Sequence, residues 1–220
     1  MRRLLLLLAI AAGLGARPAA AQSPAPWALK ATPQHLVLSG YWLEAERPLP
    51  AHPGRTLTLA PQLYWGPAGH PDAPRSSADL SRYAVVRGLG LQVQWRRYLR
   101  PAAGAFPSGP YLGAGPVVQV FRLRFEHLEW HEEPGRYGVP YLEYGPQMRA
   151  ETVLRYGLAA QVGYQWRFGA RVLLDVYAGL GIRKAHFWSD FDESQFQSGA
   201  SDYAYEGVYV PAGFKLGVVL

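Results

Sequence analysis

"LRYGLAAQVGYQWRFGARVLLDVYAGLGIRK", residues 154–184, alternates with a period of two on both sides of Gly169. Leu154, Tyr156, Leu158, Ala160, Val162, Tyr164, Trp166 and Phe168 hold one set of positions, and Arg155, Gly157, Ala159, Gln161, Gly163, Gln165 and Arg167 the other. Past the turn the parity resumes, with Val172, Leu174, Val176, Ala178, Leu180 and Ile182 set against Arg171, Leu173, Asp175, Tyr177, Gly179, Gly181 and Arg183. Successive side chains of a strand point to opposite faces, so a period of two means strand. Two such runs joined by a short Gly-containing turn predict a hairpin.

Which face is the inside decides the class. A soluble sandwich or lipocalin-type barrel turns its apolar face inward. A membrane barrel turns it to lipid and keeps a polar interior. A solvated strand face favours Thr, Lys and Glu, because Gly weakens a strand. Here the polar face is Gly and Ala interleaved with Arg, Gln and Asp. Small residues leave room inside a narrow barrel for long charged side chains. Tyr164, Trp166 and Phe168 gather near a strand end of the apolar face, as an interfacial girdle does. Lipid is expected outside.

The rest of the chain fits that reading. Arg2 and Arg3 precede an apolar run from Leu4 to Ala16, and Ala19–Ala21 offers a small-residue cleavage site. This predicts a signal peptide over residues 1–21, too short to span a bilayer. No Cys follows the run, so no lipid anchor is expected, and residues 22–220 form one domain. Taking Arg2, Arg3 and Arg17 from the 22 basic residues leaves 19 against 16 acidic, a net charge of +3 that gives no argument for nucleic acid. In a secreted chain of this size, zero Cys implies a stable fold that needs no disulfides. Beyond residue 21 no apolar run approaches the length of a membrane helix. Aromatic residues make up 13% of the chain, Gly is frequent at 24, and helix-period segments are absent, which predicts an all-β chain.

Strands are expected at about 27–36, 40–47, 55–65, 83–98, 110–127, 152–168, 170–187 and 206–220. Eight is even, as single-chain bacterial barrels require. The fold class is therefore an eight-stranded antiparallel transmembrane β-barrel of the outer membrane, with meander topology. A parity shift near Val120–Phe121 predicts a bulge. Periplasmic turns are short and outer loops long, so 47–54, 99–109 and 168–170 are expected in the periplasm. Segments 66–82, 128–151 and 188–205, with a minimal loop at 37–39, then face outside.

In "EGVYVPAGFKLGVVL", residues 206–220, Val208, Val210, Ala212, Phe214, Leu216, Val218 and Leu220 share one face. The final amphipathic strand, with Gly213 three before Leu216, resembles the assembly signal of bacterial outer-membrane barrels, and Leu220 stands where an aromatic is common. Gly213, Phe214, Leu216, Val218 and Leu220 carry that signal. The chain resembles small outer-membrane barrel proteins, OmpA- or OmpX-like in size and pattern. It is similar to an uncharacterised family opening with a short K-x-T/N strand and a YxLExE-type second strand, here Lys30, Thr32 and "YWLEAERPL". The resemblance implies outer-membrane lipid and the barrel-assembly machinery as partners, and no cofactor.

The inward charges form the largest constellation. Glu44, Glu46, Arg96, Arg122, Arg124, Glu126, Arg155, Arg167, Arg171, Asp175, Arg183 and Lys215 are expected to converge in the interior. Buried charges persist only when paired and hydrogen-bonded. Eight strands enclose a space just wide enough for side chains, so a salt-bridged plug is expected rather than an ion path.

Other motifs are weaker. "SGYW" at 39–42 and "SDY" at 201–203 resemble lipocalin motifs, but only seventeen residues follow Tyr203. In "EHLEWHEE", 126–133, His127, Glu129 and His131 suit zinc by type, yet alternate strand residues stand ~7 Å apart. A solvated polar face is the simpler reading. His186, Ser189 and Glu193 hold the residue types of a hydrolase triad, without the His–Ser spacing of outer-membrane lipid A deacylases. Asp190, Asp192 and Glu193 lack the Ca²⁺-loop pattern. A non-enzymatic structural or surface-interaction role is expected, against a lipid-modifying enzyme on the same scaffold or a secreted lipocalin-like carrier. Loops 128–151 and 188–205, aromatic and acidic, are the expected surface for an extracellular ligand.

Overall fold

The computed structural model describes residues 26–68, 80–100, 106–135, 137–190, 194–197 and 199–220. The expected signal peptide, 1–21, most of segment 66–82, and Phe191, Asp192 and Glu193 lie outside the described residues. The fold is all-β and antiparallel: β1 (Ala28–Ala31), β2 (Gly40–Pro48), β3 (Arg55–Pro67), β4 (Leu80–Tyr98), β5 (Gly109–Glu133), β6 (Tyr141–Phe168), β7 (Val172–Trp188), β8 (Gly207–Tyr209) and β9 (Ala212–Val219). Each strand from β1 to β7 pairs with the next, and β9 pairs with both β7 and β1, closing a ring of eight. The short β8 extends the last strand upward along β7 alone.

Three boundaries differ from expectation, each for a local reason. β1 ends at Ala31, and a 3-10 helix (Pro33–Leu38) replaces its second half. Pro33 has no N–H to give to a ladder, and Ser39, in the left-handed region at φ 55°, returns the chain to β2. Pro211 likewise cannot donate, and it stands in the break between β8 and β9. The expected loop 128–151 is largely strand: β5 and β6 stay paired from Gly109↔Gln165 to Glu133↔Tyr141. β4 leaves β5 at His127, and β7 joins β6 only from Thr152. The far end is therefore a two-stranded hairpin standing above the ring.

No bulge occurs at Val120–Phe121, because the register with both neighbours runs straight through. The parity holds while the chemistry of the two faces exchanges. Leu112, Val118 and Val120 point out, and above them Arg122 and Arg124 occupy the same face. Inside, Gln119 gives way to Phe121, Leu123 and Phe125, all buried. An apolar outer belt thus ends between Val120 and Arg122, and above it the strands pack as in a soluble sheet.

The interior is layered. Ala28, Phe106 and Leu173 close the lower end, and charged and amide side chains fill the middle. Phe121, Phe125, Val153 and Val86 pack at the top with Phe196 and Tyr203 of the segment between β7 and β8. That segment was expected to present its aromatics outward. Phe196 and Tyr203 instead turn in, edge-on to Phe125 and Phe121 at 5.3 and 4.9 Å. Burial is the stronger demand for a large apolar ring.

The hairpin and the upper core should therefore respond differently. Replacing residues 129–145 by an Asn-Gly turn, which keeps Leu128 opposite Pro146, should leave the urea unfolding midpoint unchanged. Phe125→Ala should cost about 3–5 kcal/mol. A large loss from the hairpin deletion would show that it braces the ring.

Candidate functional site

The middle layer is built by one inward position after another. β2 supplies Glu44 and Glu46, two apart and hence on one face, while β1 brings Lys30 opposite Glu44 and β9 brings Lys215 opposite Asp175 of β7. Arg96 reaches in from β4. Its Nη2 lies 2.8 Å from Glu44, and its Nη1 lies 2.9 Å from Asp175 and 3.3 Å from Glu46. The Nζ of Lys30 stands 2.5 Å from Glu46, 3.0 Å from Asp175 and 3.4 Å from Glu44. Lys215 pairs with Glu44 at 2.5 Å.

Neutral donors complete two of the three carboxylates, while Glu44 Oε1 is left without a hydrogen bond. Tyr98 and Thr56 donate to Glu46 at 2.8 and 2.6 Å, and Tyr111 donates to Asp175 at 2.7 Å. Lys30 also donates to Gln165. Three cations meet three carboxylates, so the cluster is neutral as a whole. Small residues make the room: a Cβ on Gly163 would lie 2.4 Å from the Tyr111 ring, and one on Gly217 would lie 2.6 Å from the Lys30 side chain.

Among the twelve expected inward charges, Glu44, Glu46, Arg96, Arg155, Asp175 and Lys215 are buried, and Arg183 is half-buried on the inner face. Glu126, half-buried at the upper rim, shares the outer-face parity of Arg122 and Arg124 and so does not turn inward as expected. Four arginines also stand elsewhere. Arg122 and Arg124 are exposed on the outer face, since the parity does not shift at Val120. Arg167 and Arg171 are exposed beside the β6–β7 turn, below Gln165 and Leu173, which take the lowest inward places. Sequence reasoning placed Lys30 in the opening K-x-T/N motif but left it out of the inward charges. Its four-residue strand is too short to show a period, but its place three before Pro33 on a strand facing "LEAE" was the available signal. Of the terminal residues, Phe214, Leu216, Val218 and Leu220 are exposed on the outer face, and Gly213 leaves space for Gln34, which a Cβ would overlap.

Above the cluster, Arg155 and Arg183 are held by neutral groups. Arg155 donates to Gln119 at 2.8 Å and to the Asp202 carbonyl at 3.0 Å, with its guanidinium 4.8 Å from the Phe121 ring. Arg183 donates to the Tyr205 and Ala200 carbonyls and lies over the rings of Tyr205 and Tyr209. These bonds tie the returning segment to the inner wall. Glu151 does the same from above the apolar belt, accepting from Ser194 Oγ and from the Gln195 N–H. Burial pushes its carboxyl above the usual range, against the opposing pull of those two donors.

The remaining candidates do not assemble. Among the described residues, no three His, Cys, Asp or Glu form a group that could hold a metal ion. His131 pairs with Glu133 at 3.2 Å, and Glu129 pairs with Arg149, which also reaches Asp190. His186 is exposed, edge-on to Trp188 at 4.5 Å. Glu193, the third member of that candidate triad, lies outside the described residues. No protein-family model and no curated protein matches this chain.

The cluster and the tether make two measurable claims. Breaking a buried ion network by removing one partner costs about 3–5 kcal/mol, because a charge is left uncompensated. Arg96→Met should lose that much in urea unfolding, since all three carboxylates touch Arg96, and a loss below 1 kcal/mol would show that water compensates the cluster. For Glu151, a raised carboxyl favours the docked segment in acid. The contribution is complete below the unfolded carboxyl pKa and is lost as pH rises through the folded one. Exchange of the Gln195 and Phe196 amides, corrected for intrinsic rates, should therefore be slower at pH 4 than at pH 8. Glu151→Gln should abolish that difference.

Proposed function

We propose that the chain is a non-enzymatic β-barrel of the bacterial outer membrane, exported through a cleaved signal peptide, with a plugged interior and loops that face outward. The observation that carries this reading is the inversion of the ring. Lys30, Arg96 and their carboxylates are buried, whereas Leu158, Leu180 and Ile182 are 56%, 63% and 60% exposed. A lipocalin-like carrier needs the opposite arrangement, with its apolar face lining the inside.

The dimensions agree. Val172 to Ile182 rises ~33 Å along its strand, which is roughly 25 Å of height at a tilt near 40°, the depth of an outer-membrane apolar band. Arginine–tryptophan pairs mark both edges: Arg47 lies 5.1 Å from the Trp27 ring at the lower rim, and Arg87 lies 4.5 Å from that of Trp65 at the upper. Aromatic rings favour the membrane–water boundary, and arginine extends its charge beyond it. Lipid and the barrel-assembly machinery are the partners this reading requires. The projecting hairpin, with Trp130, Tyr137, Tyr141 and Tyr144 exposed, is the surface offered to an extracellular ligand.

The test is depth labelling. In liposomes containing spin-labelled lipid, a fluorophore on Leu158→Cys or Leu180→Cys should be quenched, and one on Gln161→Cys should not. Quenching only at position 161, or a chain that stays dispersed without detergent, would end the membrane reading.

A further inference from the structure

The four arginines that do not enter the interior leave two of their number, Arg122 and Arg124, on the outer wall just above Val120. Arg87 of β4 stands directly opposite Arg122 of β5 in the ladder. Like charges in that position destabilise a strand pair. Arg124 lies two residues further along the same face. The three line one groove of about 360 Å³ together with Trp65, Gly66, Val85, Val86 and Met148. Among the described residues none of the three guanidiniums forms an ion pair with a carboxylate. Trp65, 57% exposed, stacks beneath Arg87.

We infer that this groove is a binding site for the phosphate of an anionic lipid headgroup, with the acyl chains lying down the apolar wall below. The inference rests on the membrane reading, which places the groove at headgroup level. Three chemical features select the ligand. A phosphate presents several acceptor oxygens, and guanidinium forks bind them in paired, charge-assisted hydrogen bonds. One such group bridging Arg87 and Arg122 removes the like-charge opposition. Leu89, Leu91 and Val120, exposed at the groove's lower edge, continue the surface that hydrocarbon chains need. A free anion would use the arginines and leave that surface idle.

A similar opposition, Arg55 against Arg97, occurs at the lower rim, and it serves as the control. Protein in neutral maltoside micelles is titrated calorimetrically with dihexanoyl phosphatidic acid, dihexanoyl phosphatidylcholine and inorganic phosphate. Phosphatidic acid should saturate and bind at least tenfold more tightly than either of the others. Arg87→Gln, Arg122→Gln and Arg124→Gln should each weaken it about tenfold, and Arg97→Gln should not. Arg87→Gln and Arg122→Gln remove a like-charge opposition and Arg124 is exposed, so none of the three variants should lower the urea midpoint.

Equal binding of inorganic phosphate would replace the lipid with a free anion. Equal weakening by Arg97→Gln would reduce the site to general rim charge. Absence of saturation would remove it. Failure of the membrane reading itself would appear separately, in the quenching experiment, where these arginines play no part.

Discussion

The neutral cluster around Arg96 and Lys30 is the constraint on which the rest depends. Six ionised side chains cannot be taken from water singly; the effective cost is several kcal/mol for each. It is offset only when each cation meets a carboxylate and each carboxylate a cation, a condition the six satisfy although Glu44 Oε1 and Arg96 Nε make no hydrogen bond. That condition fixes geometry well beyond the six residues. Lys30 must face Glu44 and Lys215 must face Asp175, so the registers of β1, β2, β7 and β9 are set together. Glycine on adjacent strands follows from the same demand, because long side chains meeting in a narrow ring need wall positions without a Cβ. The apolar layers lie above and below the cluster, and a cavity of about 230 Å³ lined by Glu44, Lys215, Arg155 and Arg183 lies between it and the upper layer.

A second constraint acts along the strands rather than across them. β5 is one unbroken strand of 25 residues, yet it obeys two opposite rules. Below Val120 its outer face is apolar and its inner face mixes small and polar residues with Tyr111 and Val117; above that level arginines take the outer face and Phe121, Leu123 and Phe125 the inner. A single solvent on each side would not select such a sequence. Under the membrane reading the outer neighbour changes from hydrocarbon to water at that level, and the interior changes from charge cluster to aromatic core. The returning segment between β7 and β8 belongs to the upper regime, which is why its Phe196 and Tyr203 turn inward.

This explains what could be read from the sequence and what could not. Period two survives translation into structure wherever a strand keeps one regime, so β6 and β7 and the inward places of Glu44, Glu46, Arg96, Asp175 and Lys215 were legible. At Val120–Phe121 the hydropathy pattern slips by one residue, and a bulge and a reversal of solvent produce the same slip. Only the pairing register separates them, and register is a tertiary fact. Lys30 was hidden for a different reason: four residues of strand before Pro33 carry no measurable period. The hairpin beyond His127 was hidden because its faces are both polar and aromatic, so alternation there selects no inside.

Ring closure depends on the side chain that was hardest to find. β1 contributes four ladder pairs to β9, from Ala28↔Val219 to Ala31↔Leu216, and four to β2. Above Ala31 the 3-10 helix stands between β2 and β9 in place of a strand. So short a ladder is a weak clasp for strands as long as their neighbours. Lys30 lies at its third residue, and its ammonium reaches Glu44 and Glu46 on one side of the join and Asp175 on the far side of β9. The same ion network that fills the interior thus also bridges the first and last strands, so the charge that ties the seam is the charge that occupies the interior.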